Sequence, residues 1–164
     1  MKGRILKIII SLTLIICIGL LSSACINEEP LPYDAVLFDK AERWAKEEFL
    51  NENQTKYPFT DDNLPRERCF IIDSAEEFDK AFDSFPEEVT FTSDILVIYF
   101  FTDIYYGFGC KLQAITEASG EIVIDILHEM ADERPSTSMP IQRCLVIKLS
   151  NCSYKSIQVE MNYA

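Results

Sequence analysis

The sequence predicts an α+β domain in which two N-terminal helices are followed by an antiparallel β-sheet. Apolar residues recur at helical spacing in two segments before Pro86. A continuous apolar run follows, and from there to the C-terminus apolar and polar residues alternate, as in half-buried strands. The chain has 164 residues and is 48% hydrophobic, which is enough for one packed core. We therefore assign residues 33–164 to a single domain.

The first predicted helix extends from Asp34 to Glu52. Its apolar residues recur at steps of three and four, on the side opposite to Asp39, Lys40, Lys46 and Glu47: they are Leu37, Ala41, Trp44, Ala45, Phe49 and Leu50. The polar stretch that follows, residues 51–68, contains two prolines and has no periodicity, so we expect a loop there.

The second predicted helix follows a short apolar strand, Phe70–Ile72. Ser74 and Glu77 have the spacing of a capping box, in which a hydroxyl and a carboxylate satisfy the free amides of the first turn. The core-facing side of this helix is aromatic and small, with Phe78, Ala81, Phe82 and Phe85, and Pro86 is expected to end it.

The predicted sheet begins with Ile95–Phe101, an unbroken apolar run typical of a central strand covered on both faces. Cys110–Ala114 and Ile122–Ile126 alternate on either side of a glycine-containing turn, which predicts a hairpin.

The last two predicted strands are Ile141–Leu149, after a loop with Pro135 and Pro140, and Ser156–Tyr163. We expect them to join the other strands in one antiparallel sheet.

The N-terminus has the composition of an export signal. Lys2, Arg4 and Lys7 precede fourteen uncharged residues, Ile8–Leu21, and small residues follow at 22–24. A basic head, an apolar run of this length and a small-residue cleavage region are the parts of a secretory signal peptide. The alternatives are an uncleaved anchor, since nineteen residues from Ile8 to Ile26 are uncharged, or a plainly secreted protein.

The segment Leu21-Ser22-Ser23-Ala24-Cys25 resembles the lipobox of bacterial prolipoproteins, although Ser22 stands where that family most often has leucine. The resemblance implies cleavage after Ala24, a diacylglyceryl group on Cys25 and a lipidated tether over residues 25–32. It places the domain at the extracytoplasmic face of the cell membrane, bound through the lipid on Cys25. The mature chain resembles small envelope lipoproteins of unknown function.

The charge balance excludes one class of partner. With 15 basic and 27 acidic residues the formal charge is −12. Nucleic acids and anionic lipid surfaces are bound by clusters of lysine and arginine, so we expect no nucleic-acid partner.

Four cysteines remain in the mature domain: Cys69, Cys110, Cys144 and Cys152. In an exported protein an even number is a candidate set for two disulfides, but the alternative is four simple thiols, because free cysteine packs as a small hydrophobe. If the last two strands form a hairpin, Cys144 and Cys152 lie about 16 Å apart, which excludes that bridge.

Few residues could support catalysis. His128 is the single histidine, and no serine has the G-x-S-x-G context of a nucleophile elbow. The segment His128–Asp132 lacks the second histidine of an HExxH zinc motif, so we predict no metal and no cofactor. The alternative is an envelope hydrolase that uses the carboxylates, or a bound cation, near Glu129–Glu133 (Glu129, Asp132, Glu133).

Aromatic residues crowd the exit of the central strand. We expect Tyr99–Phe101 in the core, whereas the adjacent loop with Tyr105, Tyr106 and Phe108 is a candidate recognition loop for a protein, peptide or glycan.

Residues 89–159 are faintly similar to the small C-terminal β domain of a bacterial protease-complex-associated protein. The shared elements are a long apolar strand, a hairpin, a proline-bearing loop and the strand Leu145-Val146-Ile147-Lys148, and Tyr106-Gly107-Phe108-Gly109 replaces that family's Thr-Gly-Gly-Tyr type of turn. The similarity implies a protein-interaction role. Together these features predict a non-enzymatic surface lipoprotein with a binding domain, or a structural subunit of an envelope assembly.

Overall fold

A computed structural model describes residues 33–56, 63–105, 109–129 and 136–163. This part of the chain is mostly β, with two short helices and one 3-10 turn at Ala41–Arg43. None of its helices is long and apolar enough to cross a membrane. The elements are β1 (Asp34–Phe38), α1 (Glu47–Glu52), β2 (Glu67–Ile72), α2 (Ala75–Ala81), β3 (Asp94–Tyr105), β4 (Gly109–Ala118), β5 (Glu121–Glu129), β6 (Ser136–Ser150) and β7 (Ser156–Tyr163).

The strands form two sheets. The first is antiparallel, with the order β1-β6-β3-β2, and the second has the order β4-β5-β7, with β7 parallel to β5. One core lies between the two sheets, and a second core lies between the first sheet and the helical segments. The domain therefore has three layers, with the four-stranded sheet in the middle.

Strand β3 contributes to both cores, as its continuous apolar sequence predicts. Its odd-numbered residues pack between the sheets, and its even-numbered residues pack under the helices, since successive side chains of a strand point to opposite faces. From Leu96 to Phe101 every residue is at most 2% exposed. The predictions of a central strand and of a buried Tyr99–Phe101 segment are confirmed.

Helix α2 begins as predicted, with the Ser74 hydroxyl accepting a hydrogen bond from the Glu77 amide at 3.4 Å. It ends at Ala81, well before Pro86, because the chain becomes extended at Phe82. There the backbone pairs with the segment before α1: the Lys46 amide donates to the Ala81 carbonyl at 2.8 Å. This pairing joins the two helices above the sheet.

The prediction of one helix over Asp34–Glu52 is wrong for most of its length. Asp34–Phe38 is strand β1, which pairs with β6, and only Glu47–Glu52 is α-helical. Lys40 interrupts the segment with a φ of 59°, a left-handed conformation that a right-handed helix cannot include. The apolar spacing fits a helix, but a strand and a turn place Phe38 and Ala41 in the core between the first sheet and the helical segments.

The β4–β5 hairpin is confirmed. Its two-residue turn is Ser119-Gly120, and both residues have positive φ, 57° and 85°. This is the pattern of a type I′ turn, whose twist matches that of the flanking strands.

The prediction of one antiparallel sheet holds only in part, because the strands form two sheets and β7 pairs with β5 in parallel. Strand β6 lies between β1 and β3, and β7 crosses to the other sheet, where Val159 aligns with Ile124 of β5. The Lys155 amide donates to the Gly120 carbonyl at 2.7 Å, which starts β7 beside the β4–β5 turn. Strand β6 also begins earlier than predicted, and it accommodates Pro140 where the register with β3 shifts.

Asp94 joins the start of β3 to the end of β6. Its carboxylate accepts hydrogen bonds from the Thr90 amide at 2.9 Å, the Ser150 hydroxyl at 2.8 Å and the Ser93 hydroxyl at 3.3 Å. Burial alone would raise the pKa of Asp94, but these hydrogen bonds and the nearby Lys148 outweigh it and lower the pKa.

Asp94→Asn is expected to reduce the free energy of unfolding at pH 7 by about 1–3 kcal/mol, because the amide cannot accept all three hydrogen bonds. The pKa is lower in the folded state, so this contribution is fully present above the unfolded pKa and is lost as the pH falls through the folded one. Urea unfolding should therefore show a deficit at pH 7 that shrinks below about pH 4. The exposed Asp83→Asn is the control; a pH-independent deficit in Asp94→Asn would contradict this role.

Candidate functional site

A charged network is buried where β1 ends and the other strands continue. The Arg143 guanidinium lies 2.9 Å from the Asp39 carboxylate, 3.5 Å from Glu42 and 3.9 Å from Asp103. Asp103 in turn lies 3.1 Å from His128 Nε2. We call these five residues the Arg143 network. Asp103, His128 and Arg143 are at most 5% exposed, so the buried Arg143 guanidinium depends on the neighbouring carboxylates to balance its charge.

Glu42 of this network binds a backbone amide of β6 beyond the end of β1. Strand β1 pairs with β6 only as far as Phe38 opposite Val146. Two residues earlier in β6, the Cys144 amide donates to the Glu42 carboxylate at 3.1 Å. A side chain thus satisfies a backbone group that would otherwise be exposed by the end of β1.

His128 is packed in this region as a core residue. It is 1% exposed, and its ring lies edge-on to Phe101, with centroids 5.9 Å apart. Cys110 aligns directly with it across the β4–β5 pair. Burial raises the pKa of the Cys110 thiol to about 12, and the carboxylates of Asp39 and Asp103 add to the rise. The thiol therefore stays protonated at neutral pH, whereas nucleophilic catalysis requires the thiolate.

Only some of the site residues predicted from the sequence lie within the described part of the chain. Glu129 ends β5 and forms an exposed ion pair with Lys111 at 2.6 Å. The backbone of Tyr105 ends β3. Among the described residues no group of three or more histidine, cysteine or acidic side chains could hold a metal ion. The other predicted positions lie outside the described residues: Cys25, Tyr106, Phe108, Asp132 and Glu133.

The four cysteines of the domain are free thiols in the structure. Cys144 packs under the helices, whereas Cys110 and Cys152 pack against the core between the sheets. Cys69 shares a sheet face with Tyr99, since the two are cross-strand partners, and Tyr99 belongs to that same core between the sheets. The four-stranded sheet therefore separates Cys144 from the other three cysteines, which favours four thiols over two disulfides.

A cavity of about 570 Å³ opens on the helical side of the first sheet. Strand β2 forms its floor, and α1 and α2 form its walls. On this face of the sheet the apolar side chains of the lining are Phe49, Phe70 and Ile72, whereas the Ile71 side chain packs toward the core between the sheets. This site could not be predicted from the sequence, because its residues come from three separate elements and share no motif.

The rim of the cavity is acidic. Four carboxylates line it, and none forms an ion pair within the described part of the chain: Glu48, Glu52, Glu77 and Asp79. Two lysines also line it, but Lys46 donates to the Asp79 carbonyl, and Lys80 pairs with Glu76 at 2.7 Å. Near the floor, Arg68 donates to the Glu52 carbonyl at 3.0 Å and covers the Phe70 ring. The cavity therefore combines a partly apolar floor with a rim of net negative charge, in which four carboxylates face two lysines.

Arg143→Met is expected to lower the free energy of unfolding by about 3 kcal/mol, because it leaves Asp103, Asp39 and Glu42 without their shared cation. The value lies at the lower end for a broken buried ion pair because Asp39 and Glu42 keep contact with water, at 23% and 30% exposure. Urea unfolding measures it. Lys111→Met, which removes an exposed ion pair at the same end of β4 and β5, should cost less than about 1 kcal/mol. Equal losses in the two variants would contradict a structural role for the Arg143 network.

The rate of alkylation of each cysteine should depend on how deeply its thiol is buried. In the folded protein Cys69, which is exposed, should react with iodoacetamide, while Cys110 and Cys144 should react only after unfolding. Cys69 is exposed to solvent, but neighbouring atoms partly desolvate its thiol and raise its pKa to about 11. Its alkylation rate should therefore rise about tenfold per pH unit between pH 7 and pH 9. Peptide mass spectrometry gives the rate at each site. A cysteine that becomes reactive in denaturant only after a reductant is added would instead be in a disulfide.

Comparison of the chain with protein-family models, with curated proteins and with solved structures finds no match.

Proposed function

We propose that this chain is a membrane-anchored surface lipoprotein whose β domain is a non-catalytic binding domain. The observation that carries the binding role is the cavity between α1, α2 and β2, which joins a partly apolar floor to a rim of net negative charge. Binding sites combine apolar surface, which supplies affinity, with a few polar groups, which supply orientation. The cavity has both.

The charged and thiol groups of the described residues support a structural rather than a catalytic interpretation. His128, the single histidine, lies in the core against Asp103, at 1% exposure. A general base must reach the substrate from which it takes a proton, and a buried ring cannot do so. Burial also raises the pKa of Cys69, Cys110 and Cys144, so these thiols are poor nucleophiles at neutral pH.

The proposed anchor rests on the resemblance of Leu21–Cys25 to a lipobox. One acyl chain holds a protein only weakly at a bilayer, but the two chains of a diacylglyceryl Cys25 hold it stably. Loss of residues 1–24 would leave 12 basic and 27 acidic residues, a formal charge of −15. Such a domain is repelled by an anionic membrane, so the cavity would remain accessible to partners at the cell surface.

Photocrosslinking in cells tests the anchor and the binding surface together. A benzophenone amino acid placed at Asp79 of the full chain should form a discrete adduct in the membrane fraction, because this exposed residue lines the cavity. The same group at Glu160, which is exposed on the other sheet, is the matched control. Labelled palmitate should be incorporated into the full chain and not into Cys25→Ala, which should also leave the membrane fraction.

Equal crosslinking at Asp79 and Glu160, or none at either, would exclude the cavity as the binding surface. Palmitate incorporation that persists in Cys25→Ala would exclude the anchor. The two halves of the proposal can therefore fail separately.

A further inference from the structure

Strand β2 is the outer strand of the four-stranded sheet, beside the cavity, and the register shows which of its backbone groups face outward. The Asn151 amide donates to the Ser93 carbonyl at 2.8 Å, so Asp94 and Ser150 form a non-hydrogen-bonded pair and Ile95 bonds to β6. The next residue, Leu96, therefore bonds to its β2 partner, Ile72.

Alternation then continues along β2. Arg68, Phe70 and Ile72 bond to β3, and the N–H and C=O groups of Glu67, Cys69 and Ile71 point away from the sheet. Among the described residues, no other backbone segment bonds to these outward groups. An exposed edge of this kind can pair with an added strand.

Based on this geometry and on the proposed binding function, we propose that the ligand is an extended segment of another protein, which adds to β2 as a fifth strand. An added strand lies about 4.8 Å from its neighbour, and every second side chain points to the same sheet face. On the helical side those side chains enter the cavity lined by Phe49, Phe70 and Ile72. Backbone pairing supplies affinity, and the cavity selects the alternate side chains.

The charge of the rim specifies the chemistry of the segment. An apolar side chain fits over the floor, and a lysine or arginine two residues away fits beside Glu48, Glu77 and Asp79, which have no ion-pair partner among the described residues. Because these carboxylates are exposed and outnumber the lysines of the rim, the rim favours a cationic partner and disfavours an anionic one. A second copy of this chain is disfavoured, because each copy carries a formal charge of −12.

The test uses the full chain in detergent and a fluorescent peptide, Thr-Val-Thr-Lys-Thr-Val-Thr, in which the valines and the lysine share one face. Fluorescence anisotropy should detect saturable binding. Replacing the lysine by glutamate should weaken binding about tenfold, the value of one charge-assisted contact. Glu48→Lys combined with Glu77→Lys should have a similar effect, and Glu121→Lys combined with Glu160→Lys, on the other sheet, should have little effect.

N-methylation of the peptide tests strand pairing itself. One derivative carries N-methyl groups on the two valines and the lysine, and the other carries them on the inner threonines. An added strand uses the amides of only one alternate set, so one derivative should bind like the parent peptide and the other should lose binding. Both derivatives keep the same side chains and charge.

Equal affinity of the two N-methylated peptides, at any level, would overturn strand addition. Failure of the parent peptide to bind would also overturn it. In either case the crosslinking of Asp79 and Glu160 decides the proposed binding function independently, because it requires neither a strand nor a cationic ligand.

Discussion

The structure depends on the burial of β3 on both faces. Its seven apolar residues from Ile95 to Phe101 cannot be covered by one layer, since neighbouring side chains point in opposite directions. One face is covered by β4, β5 and β7, and the other by the helical segments. Burying a large apolar side chain contributes about 1.5–3 kcal/mol. Covering both faces of this strand is therefore strongly favoured, and it requires a layer on each side of the sheet. The separation of Cys144 from the other cysteines and the positions of α1 and α2 follow from this constraint.

The Arg143 network lies where the strands of the middle sheet end at different points. Its strands differ in length: β6 has 15 residues, β3 has 12 and β1 has only 5. Beyond Phe38, no strand of the described residues pairs with β6 on that side, and Asp39 and Glu42 of the Arg143 network lie there. Buried ion pairs of this kind satisfy polar groups in a defined geometry more than they add net stability. The network is therefore best understood as the closure of one end of the sandwich.

The opposite edge of the same sheet is built differently. Strand β2 borders a cavity, with no charged network closing it within the described part of the chain, and acidic residues of α1 and α2 surround the opening. Natural sheets usually protect an edge with charge or a covering segment, because unpaired backbone groups attract other strands. In the proposed complex the acidic rim protects the edge from acidic segments and admits a cationic one. Closure at one edge and access at the other agree with a binding domain whose ligand approaches along β2.

Local sequence pattern determined the central strand, the β4–β5 hairpin, the cap of α2 at Ser74 and the core position of Tyr99–Phe101, because each depends on neighbouring residues only. Tertiary structure alone decided the partners of β1 and β7 and the assembly of the Arg143 network and the cavity. The segment from Asp34 to Glu52 has helical spacing, yet pairing with β6 made its first part a strand. Strand β7 has the same alternation whether it pairs with β6 or with β5. The spacing of apolar residues favours a helix or a strand, but it does not say which strand another strand will pair with. That pairing depends on burial and backbone hydrogen bonds with residues far away in the chain.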